Sequence, residues 1–278
     1  MKKDELTGGH KYHRIHDALS DTNLKRLEKL RLMDDTFLSE ALDGQIDAVQ
    51  YIVNTVLERT DLKVVRAESQ REYHSAASRS IRLDIQAEDT DGRIADIEVQ
   101  RADDPSLILR ARYYAAMIDS RMLQKGAQFS SLKQRFVIFI TESDPFHLGL
   151  PLYHIHNVID ELNCADAGDG AMTVFVNGAF QNEKHPVGQL VHDFKCTHAD
   201  DMFIQVLARP VRYMKETKGG QARMCRIMEE ALAERETQIY CELVLDGVMS
   251  TKEAARRDGK TEEEFRACLA AYLAEKQE

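Results

Sequence analysis

The sequence predicts an α/β fold, a mixed sheet flanked by helices in the order αβββαβ, with a C-terminal helical extension. Three stretches carry this prediction. Ser80 to Gln100, SIRLDIQAEDTDGRIADIEVQ, holds two alternating segments around Asp91-Gly92. Asp-Gly between alternating apolar runs signals a hairpin, because Gly supplies the positive φ of a tight turn. LILRARYYAAMIDSRML, from Leu107, repeats apolar residues at helical spacing through Leu107, Ala111, Tyr114 or Ala115, and Ile118. RFVIFIT, from Arg135 to Thr141, is a continuous apolar run of strand length, expected of a strand covered on both faces. Hairpin, helix and buried strand in this order imply a crossover helix leading into a parallel strand.

The other elements follow along the chain. The first 30 residues read as a polar leader, with His10, His13 and His16 at a spacing that could line one helical face. An exposed basic leader explains them better than a metal site does. Asn23 to Leu32 can form a short amphipathic helix. Asp34 or Asp35 can cap a helix through Phe37, Leu38, Ala41 and Leu42. Gly44-Gln45 interrupts, and Ile46, Val49, Ile52, Val53, Val56 and Leu57 mark a second helix of clear 3.6 period. Leu62 to Tyr73 is strand-like. Asp104 and Pro105 suit the cap and first position of the crossover helix, and Lys125-Gly126 its end. Leu152 to His156 and Met172 to Asn177 read as further strands, the second entered through Gly168-Asp169-Gly170. Val187 to Phe194 and Ala199 to Lys215 read as helices, Gly219-Gly220 as a hinge, and Ala222 to Leu245 as a long Glu-rich helix. Asp246-Gly247 breaks it. Ser250 with Glu253 makes a capping-box pattern, and Gly259 and Thr261 restart a last helix. The organisation expected is a leader over 1–30, a core over 31–182, a helical extension over 183–246 and a small tail over 247–278. That tail has a weak helix-turn-helix look, and with its acidic run at Glu262 to Glu264 plain helical packing or dimerisation accounts for it better than DNA reading.

Composition narrows the function. The net charge of -10 argues against a protein that coats nucleic acid without specificity. Five scattered cysteines with no CxxC fit reduced thiols rather than a disulfide frame or a zinc site, and no run reaches the length of a membrane span. With no apolar signal core at the start, a cytoplasmic location is expected.

On the hairpin, Ile81, Leu83 and Ile85 share one face and Arg82, Asp84 and Gln86 the other. In the second segment Ile97 and Val99 oppose Asp96, Glu98 and Gln100. Asp84, Glu98 and Gln100 can therefore stand together on one side of the ribbon. Converging carboxylates suit a hard divalent cation. A row of polar residues is also the ordinary outer face of an antiparallel sheet.

Asp84 and Glu98-Val99-Gln100 resemble the D…(D/E)xK motif of the PD-(D/E)XK nucleases. MDDTFLSEAL, RSIRLDIQAEDTDGRIADIEVQR, RARYYAAMIDSRML, VIFITESDPF, LPLYHI, VHDFKCTHADDM and MCRIMEE together resemble the PD-(D/E)XK nuclease family transposases, related to the recombination-promoting nucleases. The resemblance implies a restriction-endonuclease-like core, DNA as partner and metal-dependent hydrolysis of phosphodiesters. It implies Asp84, Glu98 and the Val99 carbonyl as ligands of Mg²⁺ or Mn²⁺. Gln100 takes the Lys position of the motif, where an amide supplies neither positive charge nor a general base. Arg101 and Arg110 are candidate substitutes, and Gln70 and Asp35 candidate accessory residues. Arg110, Arg112 and Tyr113, with Arg101, are candidate DNA contacts. Paired breaks would call for a homodimer. A catalytically weak nuclease-fold module that binds DNA or protein is the alternative. His192-Asp193 reads as structural, since adjacency in sequence pairs it with no nucleophile.

Overall fold

In a computed structural model, residues 21–74 and 79–277 are described. The His10, His13 and His16 leader lies outside them. The chain divides into two compact units. Among the described residues, one comprises 28–74 with 80–217, the other 21–27, 79 and 218–277.

The first unit is built on a six-stranded mixed sheet. Its strands are β1 (Val64–Tyr73), β2 (Ile81–Asp89), β3 (Ile94–Gln100), β4 (Arg135–Thr141), β5 (Leu152–His156) and β8 (Ala171–Val176), in the spatial order β1-β2-β3-β4-β8-β5. Two short strands, β6 (Val158–Ile159) and β7 (Ala165–Asp166), form a separate ribbon. β1, β2 and β3 pair antiparallel, β3 pairs parallel with β4, and β4 parallel with β8. The parallel step requires a crossover, supplied by a helix from Leu107 to Met122.

Helices are α1 (Asp21–Lys29), α2 (Asp35–Leu42), α3 (Ile46–Leu57), α4 (Leu107–Met122), α5 (Pro186–Lys195), α6 (Gln205–Glu216), α7 (Lys218–Leu245), α8 (Thr251–Arg257) and α9 (Glu262–Gln277). β4 is buried from Phe136 to Thr141, as its unbroken apolar run predicts. On one face Val137 and Phe139 join Leu107, Ala111, Ala115 and Ile118 of α4 in a buried cluster, with Phe175 of β8 stacked 5.9 Å from Phe139.

Several boundaries depart from the sequence reading, each for a local reason. α4 begins at Leu107 with Ser106 as its cap residue; the Asp104 carboxylate instead accepts the Ser106 amide at 2.8 Å, closing a turn before the helix. The hairpin loop spans four residues rather than two. Asp89 holds it, accepting the amides of Asp91 and Arg93 at 2.9 Å each, and Gly92 takes φ +76°. Residues 199–215 form a 3-10 turn, Ala199–Asp201, and then α6, because the buried Asp193 carboxylate accepts the amides of Phe203 and Ile204 and starts a new helix there. Gly219-Gly220 is no hinge. It lies in the first turn of the 28-residue α7, and the interruption falls at Thr217, which caps α6.

The helices of 186–216 pack with α2 and α3 in the sheet unit. Phe194, Leu207, Ala208 and Val211 are almost fully buried, and Phe194 accepts the Met33 amide at 3.1 Å. The compact sheet unit therefore runs to Thr217, past the boundary near 182 expected from sequence texture. In the second unit, α8 and α9 pack on α7 around Cys241, Ala254, Ala255 and Phe265. Ser250 Oγ accepts the Glu253 amide at 3.2 Å, and Thr261 with Glu264 forms a reciprocal capping box.

Candidate active site

The site forms where β2 leaves β3. The two strands pair from Ile85–Ile97 to Glu88–Ile94 and then separate. At the opening, side chains replace the ladder. The Asp84 amide donates to Glu98 Oε1 at 2.8 Å, and the Val99 amide donates to Asp84 Oδ2 at 3.2 Å. These reciprocal bonds lock the two carboxylates to each other's strand. Gln100 O accepts the Glu142 amide after β4 at 2.8 Å, while Ile97 pairs toward β2. Ladder alternation therefore turns the peptide groups of Val99 toward β2, the side occupied by Asp84.

This face is not an outer one. The register sets Asp96 beside Val137 and Glu98 beside Phe139, both on the face covered by α4. Glu98 is 4% exposed and Asp96 fully buried. Neither carboxylate oxygen of Asp96 has a hydrogen-bond partner. Burial is the first cause raising all three acids. It lifts Asp84 to about 6 against the bond from Val99, with nearby Asp35 adding to the rise. Burial and then Asp84 hold Asp96 well above the usual carboxylate range. Burial, then Asp96 and Asp84, do the same for Glu98.

The cation facing these acids is Arg110 of α4, whose charge lowers Asp84, Asp96 and Glu98 alike. Its guanidinium lies 4.8 Å from the Phe139 ring centroid, its Nε is buried without a partner, and Nη1 stands 3.7 Å from Asp104. Tyr114 shares the pocket. Burial first, then Glu98, pushes its hydroxyl up to about 12, so it remains a neutral phenol. The donor set is carboxylate oxygen facing unpartnered carboxylate oxygen. That chemistry fits a hard divalent cation, which takes oxygen ligands and relieves the repulsion among buried acids.

The other predicted residues fall around this centre unevenly. Gln70, at φ +51°, donates from its amide to Ser39 Oγ at 2.5 Å, and Ser39 donates to the Asp84 carbonyl at 3.4 Å. Asp35 sits exposed in the first turn of α2, within electrostatic reach of Asp84. Asp34 is the cap residue of α2 but makes no side-chain cap bond; it accepts the Arg31 amide at 2.7 Å and pairs with the exposed Arg101 at 2.5 Å. Gln100 turns its amide to the Ala102 carbonyl at 2.6 Å, away from Asp84 and Glu98. Arg112 lines a different cavity of about 390 Å³ with Arg135 and His156. Tyr113 is half-buried against the α4 cluster. Asp96 and Tyr114 stand with the acids though neither was singled out as a site residue. The alternation that pairs Asp96 with Glu98 on one face is the signal that carried it.

Residues 37–166 match the family model described as PD-(D/E)XK nuclease family transposase. The matched range holds Asp84, Asp96, Glu98, Gln100 and Arg110 and ends before α5. No curated protein and no solved structure matches the chain.

Proposed function

We infer that the chain, whose residues 37–166 match the model of the PD-(D/E)XK nuclease family transposases, is a divalent-metal-dependent DNA endonuclease. The reciprocal bonding of Asp84 and Glu98 at the β2–β3 opening carries this reading. It holds two acids at a fixed separation before any cation arrives, so little reorganisation is left for binding.

Asp84, Glu98 and the Val99 carbonyl would hold Mg²⁺ or Mn²⁺. Such an ion supplies Lewis acidity toward a phosphoryl oxygen and toward water. The chain's own residues do the rest. Glu98 and Asp84 orient the ion through bonds that fix their rotamers. Asp96 is sealed beneath α4, where burial favours its neutral, protonated form. Arg110 supplies the positive charge that Gln100 lacks and can offset charge growing on a phosphate in the transition state. Arg101 is poorly suited to that role, being exposed and paired with Asp34. Arg101, Arg112 and Tyr113 remain candidates for contacts with the DNA backbone away from the reacting atoms.

The test is nicking of supercoiled plasmid by the full chain, with Mg²⁺, with Mn²⁺ and with chelator. Metal-dependent nicking in the natural chain, lost in Asp84→Asn and in Glu98→Gln, is the expected result. Equal nicking by the variants would remove these residues from the active site. The Gln100 amide, spent on Ala102, favours one second reading, a nuclease-fold module that binds DNA without cutting it. DNA retention in chelator with no cleavage under either metal would select that reading. Oligomeric state belongs to the same experiment, since paired breaks in one step would require two copies.

A further inference from the structure

A second cluster of metal-binding groups lies at the far end of α5, apart from the acids. His192 and Cys196 sit one helical turn apart, and Asp193 follows His192. Their ligand atoms all fall within 4.8 Å of one another. Nδ1 of His192 is 3.1 Å from Asp193 Oδ1 and 3.5 Å from Cys196 Sγ. A tetrahedral zinc with ordinary Zn–N, Zn–O and Zn–S bonds has N···O and N···S edges of about 3.4 and 3.6 Å. The observed separations of 3.1 and 3.5 Å lie near these edges.

We propose that His192, Asp193 and Cys196 form a zinc site distinct from the carboxylate centre. The mixed N, O and S set selects a borderline-soft ion, whereas Mg²⁺ takes oxygen and rejects the thiolate. Asp193 is held for the task. It is fully buried, and its oxygens accept the amides of Phe203 at 2.9 Å and Ile204 at 2.8 Å. A carboxylate oxygen carries further lone pairs beyond these bonds, so the anchoring leaves Oδ1 able to bind an ion. The His192 ring is held against Phe203 with centroids 4.4 Å apart. These contacts orient two ligands from the second shell, as zinc sites require. His192 and Cys196 also line a cavity of about 300 Å³ with Phe180, Glu183 and Lys195. A three-ligand site with an open side leaves room for water.

The experiment is a titration of the chelator-stripped full chain with Co²⁺, read by absorption. The expected result is a thiolate-to-cobalt charge-transfer band saturating at one equivalent, bleached by Zn²⁺ and untouched by excess Mg²⁺. Cys196→Ser should abolish the band, and His192→Gln should weaken Co²⁺ binding on the order of tenfold or more. A chain with no band, or a band of equal intensity in Cys196→Ser, overturns the proposal. If either variant fails to fold by circular dichroism, the natural chain decides. Zn²⁺ must then slow alkylation of Cys196, scored peptide by peptide by mass spectrometry, and unchanged labelling overturns the site.

Discussion

A carboxylate without a hydrogen-bond partner, sealed under a helix, ionises only at a cost of several kcal/mol. Asp96 is in that position, and its neighbours respond to it. Asp96→Asn removes a like charge beside Glu98. The Glu98 carboxyl should then titrate at lower pH, followed by carboxyl carbon shifts in the metal-free chain. An unmoved titration would mean that Asp96 and Glu98 do not feel each other. Arg110 and Gln100 separate in the same way. Arg110 faces all three acids, whereas the Gln100 amide is committed to Ala102. Arg110→Ala should lower the nicking rate by on the order of 10²-fold, the usual cost of losing one preorganised charge stabiliser. Gln100→Ala should stay within about tenfold of the natural chain. The reverse order of effects would return the motif's fourth position to the chemistry.

Among the elements, the junction of β4 and β8 is the least tolerant. Gly178 follows β8 and passes so close to β4 that an added Cβ would lie 1.7 Å from the Thr141 carbonyl oxygen. The obstacle is backbone, which cannot rotate aside as a side chain does. Gly178→Ala should cost at least about 2 kcal/mol, near the top of ordinary overpacking, read as a lowered denaturation midpoint at unchanged slope. A variant as stable as the natural chain would mean that the two strand ends separate freely. The opposite end of the site depends on α4. That helix brings Arg110 and Tyr114 over the acids while its buried stripe, Leu107, Ala111, Ala115 and Ile118, fastens it to β4 and β8. The charge proposed to act on phosphate and the core packing thus share one helix, and its two faces cannot move independently.

For the whole molecule, the raised acids tie stability to pH and to metal. A carboxyl with a folded pKa above its unfolded value binds more protons in the folded state between the two values. Stability therefore falls as pH rises through that window. For Asp84 the window runs from about 4 in the unfolded chain to about 6 in the folded one, and Asp96 and Glu98, also raised by burial, act in the same direction. The metal-free chain should lose stability as pH rises from about 4 through 6, the reverse of the usual salt-bridged carboxylate. A divalent cation binds the ionised form, so its stabilisation should be large at neutral pH and small at pH near 5. Thermal melts with and without Mg²⁺ across this range test it. A metal-induced shift independent of pH would separate binding from these carboxyls. Among the described residues no helix is long and apolar enough to cross a membrane.

The sequence by itself determined the order of elements, the parallel step into β4 and the convergence of Asp84 with Glu98. Periodicity encodes each of these locally, as 3.6 in α3, as 2 in β2 and β3, and as an unbroken apolar run in β4. The family resemblance draws on β2, β3 and β4 and on further strings from MDDTFLSEAL to MCRIMEE. Tertiary structure decided the rest. Alternation could say that Asp96, Glu98 and Gln100 share a face, but not that α4 covers it, because a covering helix is a long-range contact. Burial then turned two outward acids into three raised ones and made Asp96 part of the centre. The fate of Gln100 was equally out of reach, since its amide is captured by a carbonyl two residues on, where β3 has ended and alternation no longer holds. The same holds for His192, Asp193 and Cys196. Their spacing gives a helical turn, and only the amides of Phe203 and Ile204, arriving from the next helix, fix Asp193 where it can meet the other two.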